Sequence, residues 1–345
     1  GISNEGTLNL TASTLSGNTA SLLQGGGVRN VGSATLTLVT LSGNTTPSSE
    51  GGAVYSDGGS LQIVSSTVVS NTDPGLKTAA PGSLSLANSI VIDRSGGPNC
   101  SGSITSQGYN LETKNSCNFN QPGDQVNKSS PGVGPLQDNG GPTPTHALAF
   151  SSPARNSGTT DPAKCQAKDQ RDVARPQPDN GRCDIGAYEV VGFENNETVG
   201  VPANGCATST IAINSNYAIA KLNVGVNATF NPRGAFRVTL VSPAGKRVAL
   251  LGPTGGTAID LDAMFDDAAP GGVPGSGTND TNAPFYENVY RPYESLATLN
   301  NVSIKGTWTL QACSLTSATG SINSWLLLVP KISTTFKTFL PFVWR

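Results

Sequence analysis

The densest acidic stretch of the 345-residue chain is "IDLDAMFDD", which brings Asp260, Asp262, Asp266 and Asp267 close together in sequence, with Asp280 following shortly after. Hard carboxylate oxygens on a loop suit Ca²⁺, so these four residues are the candidate ligands of a structural calcium ion, with no catalytic metal expected. A second charged stretch, "DQRDVARP", holds Asp169, Arg171, Asp172 and Arg175, and "CDIGAYE" adds Asp184 and Glu189. Such alternation can hold a ligand, but bidentate Arg–carboxylate pairs that pin a loop are the stronger expectation. His146 is the only imidazole, so any Ser-His-Asp or Cys-His mechanism must run through it. There is no G-x-S-x-G elbow to supply a nucleophile.

Cys100, Cys117, Cys165, Cys183, Cys206 and Cys313 form no C-x-x-C pair, and a single histidine removes most zinc arrangements. Disulfides are the better reading. Proximity in sequence favours Cys100 with Cys117 and Cys165 with Cys183, which leaves Cys206 for Cys313. That implies an oxidising, extracellular compartment, secreted or on a cell surface.

Composition narrows the elements that must carry these residues. Gly 41 and Pro 23 leave few helix formers, while Val, Ile and Thr recur in short alternating runs, so the chain reads as all-β. With a net charge of -2 and 13% charged residues there is no basic stripe for nucleic acid or for an anionic membrane surface. No run of 18 apolar residues is present to span a bilayer. The chain opens within a repeat pattern and without an initiator Met, and is read as part of a longer precursor.

The pattern is a repeat. "LSGNT" occurs at 15–19 and again at 41–45; Ile2, Val28 and Val54 keep the same phase, as do Leu15, Leu41 and Val68, and Asn18, Asn44 and Asn71. A period of this length signals a solenoid. Strands such as "GTLNL", "ATLTL", "GSLQI" and "GSLSL" alternate apolar with polar, which predicts Leu36 and Leu38 inward and Thr35 and Thr37 outward. Three short strands per repeat cannot bury a core alone, so the repeats are expected to stack as coils of a right-handed parallel β-helix. Equivalent leucines then form internal columns. Corner asparagines form a side-chain ladder and accept the left-handed backbone of a sharp turn.

Beyond the repeats, "GPLQDNGGPTPTHALAFSSPARNSG" (134–158) and "DQRDVARPQPDNGRCDIGAYEV" (169–190) resemble the closing segment of secreted bacterial β-helix proteins of the choice-of-anchor Q type. All four blocks of that pattern are present: Leu136 to Leu148, Ser152 to Gly158, Asp169 to Pro176, and Cys183 to Glu189. The resemblance spans 1 to about 192 and implies a packed, hydrogen-bonded His146 within a closing cap over the last coil. After a polar linker, "FRVTLVSPAGKRVALL", "FDDAA", "APFYENVYRPYESLATLNN", "GTWTLQACS" and "GSINSWLLLV" resemble the P domain of subtilisin-like proprotein convertases, which implies a jelly-roll-like β-sandwich. P domains bind calcium near the segment matching Phe265–Asp267, but "TSATGS" (316–321) lacks the acidic residue common before the Gly of the last hairpin. The final "KTFLPFVWR" is similar to L-P-containing tails of secreted proteins from filamentous Chloroflexota-type bacteria; it reads equally as a sandwich-edge cover and as a strand for a neighbouring chain.

The organisation expected is coils at 1–133, a closing cap at 134–192, a linker at 193–205, a sandwich at 206–330 and an apolar tail at 331–345. Polysaccharide-acting β-helices carry several acidic and basic residues on one outer face. Here Glu5, Glu50, Asp57, Asp73 and Asp93 share no repeat phase, so no catalytic residue is assigned and the chain is read as not an enzyme. The sequons at Asn9, Asn44, Asn99, Asn196, Asn227 and Asn301 carry no claim of glycans. The expected role is structural or adhesive, with self-association, other surface proteins or glycans as partners and end-to-end assembly through an open coil. A polysaccharide-binding or -degrading protein and the P-domain accessory region of a secreted peptidase are the alternatives.

Overall fold

A computed structural model describes the chain except residues 22–23, 47–49, 93–95, 178–180, 253–255, 277–278, 280, 283–284 and 334–345. Asp93, Asp280 and the tail sequence from 337 on lie outside the described residues. The chain divides into two compact units, Gly1–Val190 and Val191–Arg345. Among the described residues there is no α-helix, and no helix long and apolar enough to cross a membrane.

Among the described residues the first unit is a parallel β-helix of five coils. Each of the first four contributes three strands: β1 (Ile2–Asn4), β2 (Thr7–Thr11) and β3 (Thr14–Ser16); β4 (Val28–Asn30), β5 (Ser33–Thr37) and β6 (Thr40–Ser42); β7 (Val54–Ser56), β8 (Ser60–Val64) and β9 (Thr67–Val69); β10 (Leu76–Thr78), β11 (Ser83–Ala87) and β12 (Ile90–Ile92). The fifth holds β13 (Cys100–Ser101), β14 (Ile104–Ser106) and β15 (Leu111–Glu112). Equivalent strands pair in three five-stranded parallel sheets. Register stacks Ile2 on Val28, Val54, Leu76 and Cys100, and Leu15 on Leu41, Val68 and Val91. These columns form the dry interior, because a strand's side-chain period of two sends alternate residues inward. The repeated "LSGNT" is thus one strand end and corner on successive coils.

At that corner Asn18 Nδ2 donates to Asn44 Oδ1 (2.8 Å), and Asn44 Nδ2 donates to Asn71 Oδ1 (3.0 Å). The left-handed backbone is taken by the preceding residue, Gly17, Gly43 or Ser70, and not by the asparagines as expected. Glycine meets the steric need and asparagine the hydrogen-bonding need. A second corner stacks Ala12, Leu38, Ser65 and Asn88, all at positive φ. This corrects the reading of Leu38: it is buried, but it follows β5 on the turn and lies outside the interior cluster, where Ala34 and Leu36 are the inward pair.

The fifth coil is closed by 113–128, where Cys117 and Phe119 join the interior cluster, Cys117 is bonded to Cys100, and Asp124 accepts from Asn110 N (2.8 Å) and Ser106 Oγ (2.6 Å). Of the segment expected as a cap, 134–192, the part within the first unit, 134–190, does something else. It runs as a strap along the outer face of the third sheet (β3, β6, β9, β12, β15), opening with the antiparallel pair β16 (Val133–Gln137) and β17 (Thr145–Leu148). The outward positions of that sheet can accept a cover: Thr40 is 0% exposed, Thr67 2% and Ile90 0%. The Thr40 and Thr67 hydroxyls bond to Gln170 and to Ala187 N of the strap, and Ile90 packs beside Gly186, so none of the three faces solvent.

The second unit is a sandwich of two sheets. One contains β18 (Gly192–Asn195), β19 (Val199–Val201), β21 (Ala218–Phe230), β24 (Leu261–Phe265), β25 (Val289–Tyr290) and β27 (Gly320–Ser333). The other contains β20 (Cys206–Ile213), β22 (Phe236–Val241), β23 (Arg247–Leu251) and β26 (Gly306–Ser314), in the order β20-β26-β22-β23. Residues 193–205, expected as a linker, supply most of β18 and all of β19, both antiparallel to β27. Phe230 stacks on Phe236 between the sheets at 4.2 Å, and Trp325 Nε1 donates to Ser209 Oγ across them.

Candidate functional site

The charged residues of 169–189 meet in the strap. Arg171 donates to Asp169 from Nε (2.9 Å) and Nη2 (2.7 Å), both to one oxygen, and its guanidinium lies 3.5 Å from the Tyr188 ring centroid. Arg175 Nε donates to Glu189 Oε2 (2.8 Å) while its Nη atoms donate to Gly186 O and Asp184 O. These are not the forked bidentate pairs expected, because the remaining carboxylate oxygens are taken by backbone N–H groups. Asp169 Oδ1 accepts from Arg171 N and Val173 N, Glu189 Oε1 from Gln177 N, and Asp184 from Asn156 N and Val190 N. Burial, and next the charge of Glu189, push the Asp184 carboxyl well up. Burial likewise raises Glu189, against the pull of Arg175. The side chains of both ion pairs, Arg171–Asp169 and Arg175–Glu189, are 0% exposed, which makes this a packed joint rather than a ligand site. Asp172 alone stays outside, paired with Lys168 on the surface.

His146 is buried, with Nδ1 2.7 Å from Gly134 O and Nε2 2.9 Å from Ser42 Oγ; burial holds its pKa below the ordinary value. Among the described residues, its hydrogen-bond partners are a backbone carbonyl and a serine hydroxyl rather than a carboxylate. All three expected disulfides are present: Cys100–Cys117, Cys165–Cys183 and Cys206–Cys313.

The four aspartates proposed for calcium separate into distinct networks. Asp260 accepts from Phe230 N, and Asp262 accepts from Asn227 Nδ2, Tyr286 N and Glu287 N. Asp266 accepts from Lys221 Nζ (2.8 Å), Asn223 Nδ2 and Ala268 N; burial alone would raise it, but these donors hold it below the usual carboxylate range. Asp267 caps the turn at Leu296–Leu299 by accepting from Leu296 N, Ala297 N and Ser295 Oγ. With backbone and side-chain donors filling these oxygens, the four do not fit one oxygen cage around an ion. Among the described residues no group of three or more His, Cys, Asp or Glu is placed to hold a metal.

Two surfaces were not read from the sequence. On the outer face of the first helix sheet, register aligns Ser3, Arg29, Tyr55, Lys77 and Ser101. Arg29 pairs with Asp57 and Lys77 with Glu50, each at 2.8 Å, so two of the carboxylates that share no phase in sequence converge on one row. The usable signal was the residue after each member of the Ile2 column. On the sandwich, the outer face of the four-stranded sheet forms a cleft of about 630 Å³ lined by Arg237, Arg247, Tyr293, Glu294 and Gln311 among others.

The comparison with protein families bears on the second unit. Residues 219–329 match the Proprotein convertase P-domain family. No curated protein matches the chain. Among solved structures, the serine protease of Aeromonas sobria in complex with a chaperone is 16% identical with a TM-score of 0.26, covering 40% of this chain and 26% of that one. The same serine protease alone gives 16% identity and a TM-score of 0.25, covering 41% of this chain and 27% of that one. The chain therefore spans about a quarter of the length of those structures.

Proposed function

We propose that this chain is a secreted structural and binding protein without chemistry of its own, in which a strapped β-helix forms a stiff body and the P-type sandwich offers an adhesive surface. One observation carries the reading: the densest charged cluster of the first unit, together with the only imidazole, is buried in hydrogen bonds that fasten the strap. Three disulfides support secretion. The four sequence blocks that build the strap support membership of the choice-of-anchor Q type of β-helix protein. The test is a panel of plant, algal and bacterial polysaccharides and denatured proteins incubated with the full chain. No new reducing ends, unsaturated sugars or peptides are expected; turnover on any of them overturns the reading.

A second reading is that the chain is the accessory region of a secreted peptidase, favoured by the P-domain match at 219–329. Mass spectrometry of the intact precursor decides it. A preceding region with an Asp, His and Ser peptidase constellation would support this reading, and its absence from the complete precursor would end it.

A further inference from the structure

Strand alternation in the four-stranded sheet sends Trp308, Leu310 and Val238 into the core and leaves Thr208, Arg237, Thr239 and Gln311 on the outer face. Arg247 is directly opposite Val241 on the neighbouring strand, four residues along from Arg237, so the two Cα positions stand about 14 Å apart by strand rise, while the Arg247 side chain reaches back toward Gln311, the partner of Thr239. Arg247 Nη2 donates to Gln311 Oε1, which holds one edge of its guanidinium and leaves further donors to the cleft. Among the described residues the single carboxylate in the lining is Glu294, whose Oε2 accepts from Ala249 N (2.8 Å).

The rim is built as carefully as the floor. Tyr293 N donates to Leu250 O and Glu294 N to Ala249 O, so this segment closes the edge of β23. The Tyr293 ring remains 62% exposed and lies on Gly252, where a Cβ would come within 2.7 Å of it. An exposed aromatic face, a floor of hydroxyl and amide groups, and two guanidiniums with a net positive balance surround one cleft in a chain whose overall charge is -2.

We propose that this cleft binds an acidic glycan, an oligosaccharide bearing uronate carboxylates. Arg237 and Arg247 take carboxylates along the chain of sugars, the Gln311 amide bonds to a hydroxyl, and the Tyr293 ring packs on an apolar sugar face. The volume is that of a site for a small ligand or a short stretch of polymer. An acidic peptide is disfavoured because it gains most affinity by extending a sheet edge, and the β23 edge is already closed. Binding here needs no turnover, so its failure leaves the structural reading standing.

The test is calorimetric titration of the full chain with oligogalacturonate, its methyl ester and poly-L-glutamate. Saturable binding of the oligogalacturonate is expected, about tenfold weaker for the ester, with Arg237→Gln, Arg247→Gln and Tyr293→Ala each weakening it about tenfold at unchanged Tm. The proposal is overturned by absent binding, by undiminished binding in both arginine variants, or by equal binding of poly-L-glutamate, which would mark a mere polyanion surface.

Discussion

His146 Nε2 lies 2.9 Å from Ser42 Oγ although 104 residues separate them in sequence. Gly134 O can only accept, so Nδ1 carries the proton and Nε2 accepts from the serine hydroxyl. The contact joins the strap to the second coil, and burial of the ring is what requires it to be neutral there.

That requirement has a sign. Burial lowers the folded-state pKa of His146, while the unfolded chain titrates near about 6.5. The contribution to stability is complete above that value and is lost as pH falls through it toward the folded pKa. Urea unfolding from pH 7.5 to 5 should show this loss, and His146→Gln should flatten it. With one histidine in the chain, its titration by NMR is unambiguous.

The asparagine ladder predicts a graded effect. Asn44 is 0% exposed and serves both neighbours, accepting from Asn18 and donating to Asn71 and Leu15 O. Asn44→Ala should cost about 1–3 kcal/mol by leaving buried groups unpaired, and Asn18→Ala clearly less because that corner is open to water. Chemical denaturation of the two variants compares them directly.

The strap network predicts an asymmetry between removing one charge and removing both. Arg175→Met leaves Glu189 buried without its cation and should cost about 3–5 kcal/mol. Adding Glu189→Gln should restore part of that loss. Equal or additive losses in the double variant would contradict the pairing.

The separated aspartates predict indifference to calcium. An ion held at 100 times its Kd would add about 2.7 kcal/mol and raise Tm by several degrees. Calorimetry in EDTA and in millimolar Ca²⁺ should give the same Tm for the sandwich transition. Asp267→Ala should lower it in both, through loss of the cap on Leu296 and Ala297.

What was legible in the sequence follows from where the repeating signal lies. Leu15, Leu41 and Val68 announce their register because an interior column tolerates little but aliphatic side chains. Leu38 misleads because its place in the alternating pattern is inward, yet the strand ends at Thr37 and Leu38 itself stands on the turn. The strap's residues were visible as charged blocks, but nothing local says that Thr40 will bond to Gln170, or Ala187 to Thr67. The cleft was missed for a similar reason: Arg237, Arg247 and Gln311 belong to three strands and share only a sheet face.

The strap has a mechanical consequence for the coils it crosses. Thr14 in the first coil, Thr40 and Ser42 in the second, Thr67 in the third and Asn88 beside the fourth are all bonded to it. A bare solenoid holds each turn only through its immediate neighbours and can fray from a terminus, one turn at a time. A splint running lengthwise removes that freedom: peeling away the outermost turn means breaking the splint's own bonds, so these turns should melt as one cooperative block.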